Sequence, residues 1–167
     1  MNIKIIEIKA KCANPQEIED ILINLNADFR GEDEQIDTYF KCENGRFKLR
    51  EGEIENSLIF YKRPDQSGPK LSDVKLFKTE PQSLLKEVLT FANGVVKTVH
   101  KKRKIFFIQN VKFHIDKVMN IGSFVEIEAI DETGEKTSDE LLHQCKFYLQ
   151  LFKIKDSDLI TNSYSDM

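Results

Sequence analysis

Apolar and polar residues alternate along much of this chain, with the period of two that is typical of β-strands. In residues 3–11, one face carries Glu7, Lys9 and Lys11, while the face that holds Ile6 and Ile8 is largely apolar. Side chains on neighbouring positions of a strand point to opposite sides of the sheet. The pattern therefore predicts a first strand with one charged face and one apolar face.

The same alternation, bounded by turn residues, predicts most of the remaining chain as strands. The dipeptide Asn44-Gly45 favours a tight hairpin between two of them. Apolar residues at helical spacing predict three helices instead, the last of which is capped by Thr137 or Ser138. The predicted strands are residues 3–11, 36–42, 46–50, 57–63, 74–79, 95–101, 103–109, 112–118 and 124–130, and the predicted helices are residues 15–26, 81–91 and 138–151.

Short turns between consecutive strands favour antiparallel pairing. Several predicted strands are charged on alternate positions and apolar on the others. A sheet that buries its apolar face under helices and turns its charged face inward closes as a barrel with a polar interior. A length of 167 residues suits one domain. We therefore expect an α+β fold, with an antiparallel barrel of about eight strands in a single domain, residues 1–167.

The charge balance argues against an overall basic field, since the net charge is −3, and no nucleic-acid partner is expected. The apolar run at residues 1–11 is broken by charges, unlike a signal peptide, and no stretch approaches the roughly 20 apolar residues of a membrane span. Cys12, Cys42 and Cys145 match no zinc spacing and are expected to be free thiols. The expected location is the cytoplasm, with no membrane partner, as a monomer or a homodimer.

Three glutamates form a candidate metal site. Glu126 and Glu128 are two residues apart on a predicted strand, so both point to one face, and Glu7 has the same setting on the first strand. Carboxylates that converge inside a barrel bind hard cations such as Mg²⁺ or Mn²⁺ through oxygen. The alternative is an exposed strand face with solvated glutamates.

Basic residues share faces on five predicted strands, and like charges on one face repel unless an anion lies between them. A polyphosphate would neutralise them, because Arg binds phosphate oxygens in pairs and Lys acts as a point charge. The alternative is edge lysines that discourage aggregation. His114 is either an acid or base, or simply hydrogen-bonded. The basic residues that share faces in this way include Lys9 and Lys11, Arg46, Lys48 and Arg50, and Lys101 and Arg103.

Short charged or polar segments recur along nearly the whole chain. They are residues 7–11, 35–40, 45–50, 61–65, 68–70, 101–103, 114–116, 122–128 and 163–164, which read EIKAK, QIDTYF, GRFKLR, YKRPD, GPK, KKR, HID, GSFVEIE and SY. In order and spacing, these segments together resemble the CYTH superfamily, which is named for class IV adenylate cyclases and thiamine triphosphatases, and above all its class IV adenylate cyclase-like branch.

The resemblance implies a closed eight-stranded triphosphate tunnel with helices packed outside, in a metalloenzyme that uses Mg²⁺ or Mn²⁺. Glu7, Glu126 and Glu128 would hold the metal. Lys101, Arg103 and Asp116 would be catalytic, with Asp116 or a water on the metal as the base. The residues that would bind the phosphorylated small-molecule substrate are Lys9, Lys11, Lys48, Arg50, Lys62, Lys70, Lys101, Arg103 and His114.

Two departures from the family pattern leave the reaction open. Ile5 stands where the family's opening motif has its first acidic residue, and Asp73, Val74 and Lys75 replace a basic residue, an aromatic residue and a glutamate. Lys75 is expected to face the interior and to weaken metal binding. Three functions remain: an enzyme acting on a triphosphate as a triphosphatase or cyclase, a lyase or phosphatase acting on an organic diphosphate, and a non-catalytic module that binds polyphosphate or nucleotide.

Overall fold

A computed structural model, which describes residues 2–167, contains β-strands and amphipathic helices, as the sequence pattern predicts. Met1, the first residue of the predicted domain, lies outside the described residues. The elements in chain order are β1 Asn2–Lys11, α1 Pro15–Asn24, β2 Asp28–Phe40, β3 Arg46–Glu51, β4 Ser57–Lys62, β5 Lys70–Lys78, α2 Leu85–Asn93, β6 Val95–Ile108, β7 Val111–Val118, β8 Gly122–Asp131 and α3 Ser138–Leu151.

The strands of residues 2–167 close into one antiparallel eight-stranded barrel, with the order β1-β5-β4-β3-β2-β6-β7-β8. Pairing of β8 with β1 completes the barrel, and Glu7 lies opposite Glu128 in that register. Within residues 2–167, closure leaves no edge of this sheet exposed. The predicted fold class is confirmed.

The main apolar core lies outside the barrel, between the sheet and the helices. Ile6 and Ile8 of β1 are buried there with Leu22 of α1 and with Leu141 and Cys145 of α3. The opposite face of β1 turns Glu7 and Lys9 into the barrel interior. The two faces of β1 therefore meet the two environments that the sequence pattern predicts.

Strand β6 is continuous, whereas the sequence predicted two strands divided at residue 102. The basic run at residues 101–104 hides the alternation, because Lys101 and Arg103 point inward while Lys102 and Lys104 point outward. Strand β2 is also longer than predicted and begins at Asp28 instead of residue 36. Its acidic first half pairs with the basic part of β6, where opposite charges stabilise neighbouring strands.

The helices agree with the prediction to different degrees. Helix α3 has the predicted bounds, and Thr137 and Glu140 form a capping box at its start. Helix α2 begins at Leu85 instead of residue 81, and none of its residues is buried. No helix within residues 2–167 has both the length and the apolar character needed to cross a membrane.

Candidate active site in the barrel interior

The barrel encloses a cavity of about 670 Å³. It extends from Ser163 and Tyr164 at one end to Asn56, Glu80 and Glu132 at the other. Its volume falls in the range of small-molecule sites. Charged side chains from most of the strands reach into it, so the interior is the candidate active site.

The C-terminal segment, residues 159–166, covers one end of the cavity. The Ile160 amide donates to the Lys9 carbonyl at 2.9 Å, and the Lys70 ammonium donates to the Ile160 carbonyl at 2.6 Å. Arg63 donates to the Ser163 hydroxyl at 2.8 Å. These contacts come from the end of β1, the start of β5 and the residue after β4. Antiparallel order places all three at the same end of the barrel.

Asp37 organises the cations on one side of the cavity. It lies on β2, has no solvent exposure, and accepts hydrogen bonds from Lys48, Arg50 and Lys101 at 2.8–3.0 Å. Burial alone would raise the pKa of Asp37, but Arg50, Lys101 and Lys48 outweigh it and hold that pKa well below its usual range. One carboxylate therefore neutralises part of the charge of three cations.

We call the inward-facing side chains of β3, β2, β6 and β7 the basic wall. Burial, with the nearby Arg103 and Arg50, lowers the pKa of Lys101 well below its usual range despite the contact with Asp37. Arg103 and Arg50 contribute to this shift through their positive charge, and an anionic ligand bound among these side chains would oppose that contribution. The cations of the basic wall that line the cavity are Lys48, Arg50, Lys101, Arg103 and Lys112.

Asp116 lies behind Arg103 and does not line the cavity. Its two oxygens accept from Arg103, at 2.6 Å from Nε, and from the Tyr164 hydroxyl, at 2.8 Å. Arg103 also contacts Glu126 at 3.2 Å. The Arg103 guanidinium is thereby held at the cavity surface, and Asp116 is occupied by charge-assisted hydrogen bonds.

Three carboxylates, those of Glu7, Glu126 and Glu128, line the other side of the cavity. Glu7 and Glu128 are opposite one another on β1 and β8, and Glu126 contacts Lys9 at 3.0 Å. Burial raises the pKa of Glu128 to about 7, and the charges of Glu126 and Glu7 add to the rise against the effect of Lys112. Carboxylates that repel one another in this way form an oxygen-rich donor set that suits a hard divalent cation.

His114 lies beside these carboxylates but not on the cavity surface. Its Nδ1 is 3.0 Å from a Glu126 oxygen and 3.7 Å from a Glu128 oxygen. Ligand atoms of the three residues lie within 4.8 Å of one another, and Nε2 has no hydrogen-bond partner among residues 2–167. Burial, together with Arg103 and Lys112, lowers the pKa of His114 to about 3, so the ring is neutral.

The structure places most of the predicted substrate-binding residues at the cavity and a few elsewhere. Lys9, Lys48, Arg50, Lys101 and Arg103 line it. Lys70 is fully buried against the C-terminal segment, where burial and the neighbouring Arg63 lower its pKa to about 8. Lys11 is exposed at the end of β1 and Lys62 is exposed outside the barrel.

The inward position near the end of β4 belongs to Arg63 and not to Lys62. Arg63 contacts Glu7 at 3.1 Å, and its side chain is 2% exposed. Both faces of β4 are apolar, so its alternation does not show which face is inside. Lys75 is likewise exposed on the outer face of β5, where it contacts Asp73 at 3.7 Å. The expectation that Lys75 faces the interior is wrong, and the inward residue is its neighbour Val74.

Besides Arg63, the sequence interpretation missed two charged residues that take part in the site. They are Asp37 and Glu55, and the Glu55 carboxylate bonds to Arg50 at 3.1 Å and also pairs with Lys112. Asp33 positions Glu55 by accepting hydrogen bonds from the backbone amides of residues 53–55. The two-residue period of a strand through residues 33–37 is a usable signal for Asp33 and Asp37, because it places Asp33, Gln35 and Asp37 on the same face.

Comparisons with known proteins agree with this geometry. A family model for the CYTH domain matches residues 4–164, and a comparison with curated protein sequences found no significant match. The chain is similar in structure to the PH1012 protein of Pyrococcus horikoshii OT3, with a TM-score of 0.81 and 21% identity over 97% of this chain and 98% of that one.

Two further solved structures are similar along nearly all of both chains. One is an adenylate cyclase candidate from Vibrio parahaemolyticus, with a TM-score of 0.78 and 16% identity over 97% of this chain and 95% of that one. The other is HpAC1 from Hippeastrum, an adenylyl cyclase candidate with a dominant triphosphatase activity, with a TM-score of 0.66 and 12% identity over 98% and 91%. At these identities the likeness establishes the fold. Because the family model covers nearly the whole chain, the chain belongs to the CYTH domain family.

Proposed function

We propose that this chain is a metal-dependent enzyme that acts on a phosphate ester or anhydride bound inside the barrel, with a triphosphate as the favoured substrate class. The observation that carries the proposal is the cavity itself, in which the cations of the basic wall face the carboxylates of Glu7, Glu126 and Glu128. Fixed cations stabilise the negative charge of a phosphoryl group without having to reorganise.

The basic wall would bind the phosphates. Arg50 and Arg103 each use one edge of the guanidinium to bind Asp37 and Asp116. Their other N–H groups would donate to phosphate oxygens, and Lys48 and Lys101 would supply point charges between them. Asp37 and Asp116 hold these donors from behind, so their side chains are oriented before a ligand arrives. Asp116 acts in this proposal as a positioning residue for Arg103, because both of its oxygens are already engaged.

Glu7, Glu126 and Glu128 would hold a divalent cation such as Mg²⁺ or Mn²⁺, which when bound supplies Lewis-acid polarisation of a phosphoryl oxygen. Lys9 and Arg103 hold the Glu126 carboxylate in place. Arg63 does the same for Glu7. The chain's own residues thus orient the carboxylates and leave the cavity side of Glu7 and Glu128 available to a cation.

Two reactions fit a triphosphate in this cavity. A triphosphatase directs water at the terminal phosphorus, and a cyclase directs the ribose 3′-hydroxyl at the phosphorus nearest the nucleoside. The dominant triphosphatase activity of the similar Hippeastrum protein favours hydrolysis. A lyase or phosphatase acting on an organic diphosphate is the second candidate, and the apolar side chains of Ile5 and Val74 in the cavity favour it.

A metal-supplemented screen tests the proposal. ATP, tripolyphosphate, thiamine triphosphate and organic diphosphates are each incubated with the protein and Mg²⁺ or Mn²⁺, and the products are identified. We expect turnover of at least one of them. Binding without any turnover would instead identify a non-catalytic module. If none of the compounds bound or was turned over, the phosphate site would be excluded altogether.

A pair of double variants links that turnover to the carboxylates. Glu126→Gln with Glu128→Gln keeps the size of both side chains and removes their charge, and turnover should fall at least about a hundredfold. The matched control is Glu32→Gln with Glu34→Gln, because these two glutamates are also two residues apart on one strand but are exposed outside the barrel. Near-normal turnover of the inner variant would contradict the assignment.

A further inference from the structure

One part of the barrel interior is lined by hydrocarbon. Six inward-facing residues on the adjacent strands β8, β1, β5 and β4 pack together and line the cavity opposite the basic wall. We call this surface the apolar wall, and its members are Ile3, Ile5, Ile59, Val74, Leu76 and Ile130.

The apolar wall begins directly beside the metal-binding carboxylates. Ile5 lies opposite Ile130 in the pairing of β1 with β8, and the next inward pair along those strands is Glu7 with Glu128. Ile3 lies opposite Val74 on β5. The wall therefore continues from the carboxylates toward the start of β1, which is the end of the barrel away from the C-terminal segment.

The apolar wall keeps contact with the cavity instead of filling the barrel. Ile3, Ile5 and Val74 remain 7–8% exposed, and all three line the cavity. Ile8 and Ile127 of the outer core are only 0–1% exposed. Apolar surface that faces a water-filled space is unfavourable by about 25 cal/mol per Å² relative to covered surface. A ligand that covers the wall recovers that free energy.

The basic wall and the apolar wall make different demands on a ligand. Inorganic polyphosphate has only phosphate oxygens on its surface, so it matches the basic wall and leaves the apolar wall exposed to water. An ester with phosphates at one end and hydrocarbon at the other matches both. Because Ile5 and Ile130 directly follow the carboxylate pair, the first groups beyond the phosphates would contact hydrocarbon.

We propose, on the basis of the proposed function above, that the substrate is an organic di- or triphosphate whose alcohol portion is a hydrocarbon chain. Its phosphates bind between the basic wall and the carboxylates, and its hydrocarbon lies on the apolar wall. The cations and the carboxylates bind phosphate groups of any compound, so they do not distinguish a hydrocarbon ester from inorganic polyphosphate. The apolar wall is thus the part of the site that determines specificity.

A series of alkyl diphosphates of increasing chain length tests this proposal in the wild-type protein. Methyl, butyl and hexyl diphosphate are titrated calorimetrically with Mg²⁺ present, beside inorganic diphosphate, tripolyphosphate and ATP. Each buried methylene contributes about fourfold to affinity. Burial of only two added methylenes therefore makes hexyl diphosphate bind about 15-fold more tightly than methyl diphosphate.

A matched pair of valine substitutions assigns the effect to the wall. Val74→Thr places a hydroxyl of nearly equal size on the apolar wall, and the preference for hexyl over methyl should fall by about tenfold, since an unpaired polar group is buried. Val96→Thr makes the same change at an outward position that is 60% exposed, and the preference should stay at the wild-type value. Melting temperatures of both variants show whether they are folded.

The outcomes separate this inference from the proposed function. Equal affinity for methyl, butyl and hexyl diphosphate overturns the hydrocarbon assignment even if tripolyphosphate binds and the proposed function stands. If no phosphate compound binds, the proposed function fails as well. If Val74→Thr is unfolded, the affinities of the wild-type protein for the three alkyl diphosphates still decide whether the hydrocarbon assignment holds.

Discussion

Asp37→Asn tests whether one buried carboxylate organises the basic wall. In the wild type, this carboxylate accepts hydrogen bonds from Lys48, Arg50 and Lys101 and has no solvent exposure. Asparagine keeps the volume and removes the charge, so three cations stay buried around a neutral amide. Loss of one partner from a buried ion pair costs about 3–5 kcal/mol. For a chain of this size, that loss lowers the melting temperature by about 6–20 °C.

The stability that Asp37 contributes depends on pH in a defined direction. Its pKa in the folded state is held well below the usual range, and the unfolded value is about 3.9. A depressed pKa contributes stability above the unfolded value, and this is lost as pH falls through the folded value. The gap in melting temperature between wild type and variant should therefore be constant from about pH 7 to about pH 5 and narrow only below about pH 4.

Added triphosphate supplies the second measurement. Without the Asp37 carboxylate the three cations lack their internal counter-charge, so tripolyphosphate should raise the melting temperature of the variant by more than that of the wild type. Thermal unfolding monitored by circular dichroism measures both effects. The control is Asp73→Asn, where the aspartate side chain is 68% exposed, and a change within about 0.5 kcal/mol is expected. Equal melting temperatures for the two variants would refute the role of Asp37.

Two further predictions concern which face of a strand points inward. Arg63→Gln should weaken tripolyphosphate binding, measured by calorimetry, by about tenfold or more, because a buried charge-assisted donor at the cavity is lost. Lys62→Gln is the control and should leave this affinity unchanged, because Lys62 is exposed outside the barrel. Lys75→Glu should leave both the melting temperature and the turnover within experimental error, because Lys75 lies on the outer face of β5. Cyclic AMP formation from ATP that appears only in Lys75→Glu would contradict this placement.

The sequence predicted those parts of the site that lie on strands with one polar face. On β1 a two-residue period separates Glu7 and Lys9 from Ile6 and Ile8, and the structure keeps that separation. The spacing of Glu126 and Glu128 is equally local, since two positions on a strand must share a face. Order and spacing of the charged segments also indicated the family.

Alternation could not correct an assignment made from the family pattern where both faces of a strand are apolar. Strands β4 and β5 carry hydrocarbon outside the barrel and also inside, as part of the apolar wall. A period of two then exists in the side-chain directions but not in the residue types. The resemblance to the family assigned Lys62 and Lys75 to the interior, although the inward side chains are those of their neighbours Arg63 and Val74. A shift of one residue reverses every side chain of a strand.

The sequence by itself indicated most of the strands, the charged face of β1 and the shared face of Glu126 and Glu128, because each depends on residues only a few positions apart. Tertiary structure alone decided how the charges are balanced. Asp37 on β2 meets Lys48, 11 residues away, and Lys101, 64 residues away. It also decided that an apolar wall faces a basic one, because barrel closure selects which strands stand opposite each other. Pairings over such separations depend on the closed sheet as a whole, and no local pattern encodes them.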